Sequence, residues 1–187
     1  AGNVETSQVI ADALYGALGM MAGAQGTMNN FTFGDKTVQY YETIGGGTGA
    51  GRHLSGRYFH GSDAVHSHMT NSRMTDPEIM EERYPVRVEE YSIRRHSGGL
   101  GDYHGGDGFT KRIRFLKNMT INILANRRLV PPFGMNGAGN GRTGENYIER
   151  LDGTVDNMAA SDSRTIRAGE LFVIKTPGGG GFNRTKQ

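Results

Sequence analysis

The segment AVHSHMTNSR, from Ala64 to Arg73, contains the densest group of chemically reactive side chains in the sequence. His66 and His68 are separated by a single serine. If the segment is a β-strand, alternate side chains point to the same face, and the two imidazoles share it. Such a pair can bind a metal, act on a substrate, or pack as a polar cluster satisfied by the backbone and by Asn71. The spacing alone leaves these three interpretations open.

A metal site would need a third ligand, usually a carboxylate or another histidine. Four candidates lie close in the sequence: Glu42, His53, His60 and Asp63. Nothing in the sequence fixes their distance from the histidine pair, and a zinc signature such as His-Glu-x-x-His is absent. His66 and His68 are therefore only weak candidates for metal ligands.

A glycine-rich segment, GGGTGAG at residues 45–51, is a second candidate site. Backbone N–H groups in such a segment can bind an anion, although no Gly-Lys-Ser/Thr follows that would make it a P-loop. The alternative is a set of tight turns. A later segment, GGLGDYHGGDG at residues 98–108, lacks the strand–helix frame of a dinucleotide-binding fingerprint. We interpret that later segment as tight turns.

The amide-rich segment QGTMNN, residues 25–30, is a third candidate. Its amides can both donate and accept hydrogen bonds with a polar substrate. The alternative is a loop that bonds to its own backbone. Across these segments the predicted substrate-binding residues are Gln25, Asn29, Asn30, Glu42, Gly45, Gly46 and Gly47.

Composition limits the class of protein. Of 187 residues, 30 are glycine, none is cysteine and 35% are hydrophobic. This balance predicts a chain that buries much of its surface against something else. A net charge of +2, with dispersed basic residues, argues against nucleic-acid binding. No apolar stretch reaches the roughly 18 residues of a membrane span and no signal peptide is recognisable, so we expect a cytoplasmic protein without membrane contact.

Hydrophobic periodicity predicts a helix from Glu5 to Met21, with Thr6 or Ser7 as its N-cap and Gly23 at its end. Its apolar stripe is predicted to pack in the core. The stripe comprises Val9, Ile10, Ala13, Leu14, Ala17, Leu18 and Met21. A second, short helix is predicted within DPEIMEERYP, residues 76–85, with Asp76 as N-cap and Pro77 at its first position.

From Val86 onward the pattern is that of β-strands, with a bulge near Glu89–Glu90 and a hairpin around Asp152-Gly153. The predicted fold class is α+β. Residues 1–85 form an N-terminal helix followed by glycine-rich, histidine-containing loops. Residues 86–187 form a mainly antiparallel β-rich unit.

Six stretches stand in a definite order along the chain. They are GNVETSQ, QGTMNNFTFG, YYETIGGGTGA, HSHMTNSRMTDPEIMEERYPVRVEEYSIR, SGGLGDYHGGDG and TPGGGGF. Together they resemble the C-terminal part of the hydantoinase B/oxoprolinase family, over almost the whole chain from Gly2 to Phe182. Members of that family include 5-oxoprolinase, N-methylhydantoinase, caprolactam-type lactamases, and the acetone and acetophenone carboxylases.

The resemblance implies a multi-component, ATP-dependent enzyme. In this family a B-type part works with an A-type part of actin-like ATPase fold, where ATP and Mg are bound. ATP activates an amide or carbonyl oxygen by phosphorylation, and the B-type part handles the activated intermediate. Water then opens the ring in the hydrolases, whereas an enol phosphate meets CO2 in the carboxylases. A full B-type part is much longer than this chain, so the implied partners are the ATPase subunit and the missing N-terminal part of the B-type subunit.

The resemblance carries His66 and His68 over as residues that line the active site. Ring opening needs a base for water and donors for the developing negative charge. A neutral histidine suits the first task, and Asn71, Arg73 or loop N–H groups suit the second. His66, His68, Asn71 and Arg73 are therefore the predicted catalytic residues. Any divalent metal would have most of its ligands outside this chain.

Three functional hypotheses follow from these observations. The leading one is the C-terminal part or subunit of an ATP-dependent cyclic-amide hydrolase acting on a hydantoin, 5-oxoproline or a lactam. The second is the matching part of an ATP-dependent ketone carboxylase for acetone or acetophenone. The third is a non-catalytic scaffold that docks the ATPase partner.

Overall fold

A computed structural model describes residues 4–183. This part of the chain contains two helices and eleven strands. They are α1 (Val4–Ala17), β1 (Asn30–Gly34), β2 (Gln39–Thr43), β3 (Gly51–Arg52), β4 (Tyr58–Phe59), α2 (Pro77–Arg83), β5 (Val86–Arg94), β6 (Gly108–Phe115), β7 (Met119–Leu124), β8 (Glu145–Glu149), β9 (Val155–Asn157), β10 (Ser161–Ile166) and β11 (Leu171–Lys175). Neither helix is long and apolar enough to cross a membrane.

Two antiparallel sheets form a β-sandwich. One sheet has the strand order β10-β7-β1-β2 and the other has the order β5-β6-β11-β8-β9. With the helix at the N-terminal side, this confirms the predicted α+β class. The four-stranded sheet joins β1 and β2 to β7 and β10, so its hydrogen bonds cross the division that the sequence predicts near Pro85.

The inner faces of the two sheets pack through aromatic side chains. Phe31 of β1 stacks on Phe172 of β11 with ring centroids 4.5 Å apart. Phe33 of β1 meets the edge of Phe115 of β6 at 5.2 Å. In β7 the residues alternate strictly between buried and exposed, which is the pattern of a strand with one face on a core. Burial of these rings is the main stabilising contribution in the sandwich.

A second packed region consists almost entirely of backbone. Residues 45–51, 97–106, 139–141 and 177–181, together called the glycine bundle here, run side by side outside the two sheets. The amide of Gly47 donates to the carbonyl of Pro177 at 2.9 Å, and that of Gly179 donates to Gly106 at 2.8 Å. A Cβ added at Gly179 would lie 1.8 Å from the carbonyl oxygen of Thr48. Glycine is required there because the backbones approach each other too closely for any side chain.

Residues 98–108 contain bends at Gly98, Gly101 and Asp102, but turns with positive φ do not explain their glycines. The glycines with positive φ are Gly19, Gly26, Gly56, Gly137, Gly153 and Gly169, all outside the glycine bundle. The bundle glycines therefore meet a packing requirement, not a conformational one. A sequence of closely spaced glycines does not by itself distinguish these two causes.

The short helix and the strand details agree with the sequence pattern. Asp76 caps α2, its side chain accepting a hydrogen bond from the amide of Glu78 at 2.9 Å, and Pro77 occupies the first helical position. The register of β5 against β6 shifts between Val88 and Glu90, which confirms the predicted bulge. The hairpin predicted around Asp152-Gly153 joins β8 to β9.

The first helix differs from its prediction at both ends. It ends at Ala17, because Gly19 adopts φ +66° and the amide of Met20 turns back to the carbonyl of Tyr15. The predicted end at Gly23 is therefore wrong. The predicted caps, Thr6 and Ser7, lie inside the helix.

The orientation of α1 is also opposite to the prediction. Its apolar stripe was expected in the core, yet Ile10, Leu14 and Leu18 are 54%, 59% and 67% exposed. From Glu5 onward, the buried side chains of this helix are polar: Gln8 and Asp12 are 2% and 3% exposed. The helix turns this way because its polar residues bind polar partners in the loops beneath it.

Candidate functional site

The histidine segment, residues 64–73, does not form a strand. Ala64 and His68 have φ values of 51° and 62°, and residues 68–69 form a turn. The condition for a shared histidine face is therefore not met. His66 points to the end of β2, whereas His68 points to α1.

His66 packs against the last residue of β2. Its Nε2 lies 3.3 Å from both the Oγ1 and the carbonyl oxygen of Thr43. Its Nδ1 is buried and has no hydrogen-bond partner among the described residues. Burial lowers the pKa of His66, while the bond to Thr43 and the charge of Glu42 act in the opposite direction. The neutral imidazole is therefore the favoured form near pH 7.

His68 forms a buried pair with an acid of the first helix. Its Nε2 lies 3.0 Å from Oδ1 of Asp12, and both side chains are almost fully buried. The same oxygen accepts the amide of Ala24 at 3.0 Å, and Arg127 lies 3.5 Å from the other oxygen. Gln8, one turn earlier in α1, donates to the carbonyl of Ser67 at 2.7 Å. The polar side of α1 thus holds the histidine segment in place.

Glu42 lies inside the sandwich, on the inner face of β2. It forms a buried ion pair with Lys111 of β6, and its other oxygen accepts the amide of Thr75 at 3.1 Å. Burial lowers the pKa of Lys111, and Glu42 opposes that shift. Burial, with the nearby charge of Glu42, raises the pKa of Tyr40. The charge of Glu42 therefore acts both on Lys111 in the opposite sheet and on His66.

Two of the predicted amide residues, Gln25 and Asn29, form a buried network with Arg128. Asn29 donates to Oε1 of Gln25 at 2.7 Å and accepts from Arg128 at 2.9 Å. Burial lowers the pKa of Arg128 to about 10. Asn30 accepts from the hydroxyl of Tyr41 at 2.8 Å. These amides stabilise the loop between α1 and β1.

The predicted glycines of the first loop lie in the glycine bundle. The amide of Gly46 donates to Val65 at 3.1 Å and that of Gly47 donates to Pro177 at 2.9 Å. A Cβ on Gly45 would lie 2.8 Å from the carbonyl oxygen of Ala64. Two of these amides are thus already used within the fold. A role of this loop in substrate binding stays a prediction.

Asn71 and Arg73 are exposed at the end of the histidine segment. They are not gathered around His66 or His68 by any hydrogen bond or ion pair described for residues 4–183. Two surface depressions, of about 620 and 590 Å³, lie on the outer side of the four-stranded sheet and beside Arg150. Neither contains a predicted site residue.

The His, Asp and Glu side chains of the described residues are the possible metal ligands. Among residues 4–183, no group of three or more His, Asp or Glu side chains could hold a metal ion. His53 bonds to Ser55, and Nδ1 of His60 accepts the amide of His104 at 2.9 Å. The donor set of the described chain therefore does not fit a metal centre of its own.

Comparison with known proteins places this arrangement in a family. The model of the hydantoinase B/oxoprolinase family matches residues 1–185. The chain belongs to the hydantoinase B/oxoprolinase family. It is 50% identical over 183 residues to 5-oxoprolinase of Dictyostelium discoideum, which covers 98% of this chain and 14% of that protein. The chain thus spans about one seventh of that relative's length.

Solved structures show the same fold within longer chains. The crystal structure of ATP-dependent caprolactamase from Pseudomonas jessenii superposes with a TM-score of 0.71 at 24% identity, over 92% of this chain and 32% of that one. Nucleotide-free acetone carboxylase superposes with a TM-score of 0.62 at 16% identity, over 93% of this chain and 28% of that one. Two solved proteins with different named activities therefore share this fold.

Sequence reasoning missed Asp12 and Lys111, although both left a signal. Glu5, Gln8 and Asp12 are spaced as one helical face, which is the face that α1 buries. Lys111 is in phase with Ile113 and Phe115 in a strand of period two. The charged residue at an inward position marked a buried ion pair.

Proposed function

We propose that this chain is the C-terminal part or subunit of an ATP-dependent cyclic-amide hydrolase. The observation that carries the proposal is the 50% identity to a 5-oxoprolinase over almost the whole chain. In the proposal the ring is that of 5-oxoproline, a hydantoin or a lactam. In the proposal, as the resemblance to the family implies, an actin-like ATPase subunit of the hydantoinase A type binds ATP and Mg.

His66 is the proposed base for the attacking water. When Nε2–H donates to the carbonyl of Thr43, Nδ1 carries the lone pair, and that atom has no partner among the described residues. A buried nitrogen without a partner costs about 1–3 kcal/mol, so a water or a substrate group bonded to it would be stabilised. The pKa lowered by burial keeps this ring neutral and able to accept a proton.

His68 has a positioning role in this proposal. Asp12 holds one ring nitrogen, and α1 holds the backbone between the two histidines through Gln8. The segment is thereby fixed relative to β2 and its Thr43. Asn71 and Arg73, exposed at the end of the segment, are proposed as donors to the negative charge that develops on the activated ring.

The experiment is an assay of the natural assembly purified through a tag on this chain. ATP hydrolysis is measured with 5-oxoproline, hydantoin and caprolactam, each with and without bicarbonate. We expect a cyclic amide to stimulate ATP hydrolysis without bicarbonate, with release of the opened product. An assembly that hydrolyses ATP with none of these amides would contradict the proposal.

Substitutions of the two histidines test whether His66 acts as a base or the chain is a non-catalytic scaffold. His66→Gln should lower kcat by about 100-fold or more, whereas His53→Gln, an exposed histidine, should leave it unchanged. The ordinary pKa of histidine is 6.5, and burial lowers that of His66. The acidic limb of the wild-type pH profile of kcat should therefore lie below pH 6.5. Full turnover in both His66→Gln and His68→Gln would favour the non-catalytic scaffold.

The ketone carboxylase is the alternative function. The superposition on acetone carboxylase shows that this fold also occurs in an ATP-dependent carboxylase. The alternative predicts ATP hydrolysis that depends on both bicarbonate and acetone or acetophenone. The same assay therefore distinguishes the two enzymatic proposals.

A further inference from the structure

The outward side of α1 is an apolar surface in the described structure. This surface, the outer face of α1, comprises Val9, Ile10, Ala13, Leu14, Ala17 and Leu18, all of which are exposed. Leu14 and Leu18 are 59% and 67% exposed. The six side chains carry no charge. A contiguous exposed apolar face of this kind marks an interaction surface.

The orientation of the helix is fixed by bonds on its other side. Glu5 accepts hydrogen bonds from the hydroxyl of Thr27 at 2.8 Å and from the amide of Met28 at 3.2 Å. Asp12 binds His68 and the amide of Ala24. Rotating α1 to bury its apolar stripe would break these bonds. His68 and the amide of Ala24 would then lose the carboxylate that binds them. The outer face is therefore a property of the folded chain.

A loop that contacts α1 also carries exposed apolar side chains. Arg127 reaches Asp12 of α1, and the ring of Phe133 lies against Gly16. Between these two contacts, Leu129 and Val130 are 93% and 66% exposed. The loop thus presents two further apolar side chains to solvent.

The length of the relatives indicates what covers this surface. The matched part is 14% of the Dictyostelium 5-oxoprolinase and 32% of the caprolactamase chain. We propose that the outer face of α1 docks onto an apolar surface of the remaining hydantoinase B/oxoprolinase polypeptide, the part of the family's chain that lies outside these 187 residues. This inference rests on the proposed function for the identity of the assembly, and it names the surface that the B-type partner uses.

The first test is site-specific cross-linking in the natural full-length protein or assembly. A photoreactive benzoylphenylalanine replaces Leu14, and the cross-linked peptide is identified by mass spectrometry. We expect a peptide of the remaining B-type polypeptide. The matched control is the same probe at Leu151, which is 68% exposed on the β8–β9 hairpin, where no such product is expected.

The other products overturn the proposal. A cross-link to Leu14 of a second copy would assign the face to self-association. A cross-link to the ATPase subunit would assign it to that partner. Absence of any product, together with equal amide hydrogen exchange of α1 in the assembly and in the isolated chain, would show that the face is uncovered.

A second test compares one double substitution in two contexts. Ile10→Glu with Leu14→Glu should leave the melting temperature of the isolated chain within the error of the wild type, because both side chains face solvent there. In an assembly that holds this chain as a separate polypeptide, it should weaken association by about 100-fold or more, since two central apolar contacts become charges. In a single full-length polypeptide, it should instead increase amide hydrogen exchange in α1. Unchanged association would contradict the proposal. Neither test measures turnover, so loss of the proposed activity would not affect its outcome.

Discussion

The β-sandwich and the glycine bundle lie in one chain, but the sandwich packs through large aromatic side chains and the bundle packs through glycine backbone. In the sandwich, Phe31 and Phe172 stack at 4.5 Å and fill the space between two sheets. In the bundle, Gly179 lies so close to Thr48 that a methyl group would meet a carbonyl oxygen at 1.8 Å. The sandwich should therefore be sensitive to the removal of atoms, and the bundle to their addition. Four substitutions test this difference, in order of decreasing effect.

Gly179→Ala should have the largest effect. Backbone atoms surround this position, so the added methyl can be accommodated only if a segment moves. We expect a loss of more than about 4 kcal/mol in the free energy of unfolding, measured by urea denaturation. Gly139→Ala is the control within the bundle, because its nearest neighbour would be 3.2 Å away. Equal losses for the two variants would contradict close backbone approach as the cause.

If Gly179→Ala does not fold, the yield of folded protein relative to Gly139→Ala measures the same difference. The bundle interpretation predicts a much lower yield for Gly179→Ala. Similar yields for the two variants would contradict it.

Phe172→Ala should be the most damaging truncation in the sandwich. The side chain is fully buried, and its loss removes the stacking partner of Phe31. We expect a loss of about 3–5 kcal/mol in the free energy of unfolding. Leu124→Ala, on the outer face of β7 and half exposed, should cost less than about 1 kcal/mol. The comparison would fail if the outer truncation cost as much as the inner one.

Lys111→Met tests the buried charge that crosses the sandwich. It leaves Glu42 buried without its cation, which should cost about 3–5 kcal/mol. The matched control is Lys117→Met, whose ion pair with Asp35 is exposed, so its loss should lower the free energy of unfolding far less than the loss of Lys111. Adding Glu42→Gln to Lys111→Met should restore much of the lost free energy of unfolding, measured by thermal unfolding. Absence of recovery would show that the methionine itself packs poorly.

Gly153→Ala should have the smallest effect and a different cause. Gly153 has φ +83° in the β8–β9 hairpin, and a Cβ there meets nothing within 4 Å. The cost is conformational only, about 1–2 kcal/mol in thermal unfolding. Gly153→Asn should cost less than Gly153→Ala, because asparagine tolerates the left-handed conformation. The reverse order would indicate an unrecognised contact.

Local patterns in the sequence were sufficient for elements whose signals are local. Asp76-Pro77 begins α2 as predicted, and the bulge in β5 lies where the alternation breaks. The orientation of α1 could not be predicted in this way. Its apolar stripe is real, but its burial depends on partners far along the chain, such as His68 and Ala24. A single helix does not reveal which of its faces meets the rest of the molecule.

The candidate site shows the same limit. The histidine spacing identified the segment, yet a turn at His68 separates the two rings. His66 contacts Thr43 of β2, whereas His68 contacts Asp12 of α1. The glycines were recognised as unusual. Their cause, close contact between four segments distant in the chain, cannot be seen from any one of them.

The backbone packing of the glycine bundle has a thermodynamic consequence. Unfolding exposes mainly peptide groups there, with few apolar side chains. Exposed apolar surface raises the heat capacity, whereas exposed polar surface lowers it. The heat-capacity change on unfolding should therefore fall below the usual 12–15 cal/mol/K per residue, roughly. The stability of this chain should accordingly vary less with temperature than that of a domain of equal length with an ordinary core.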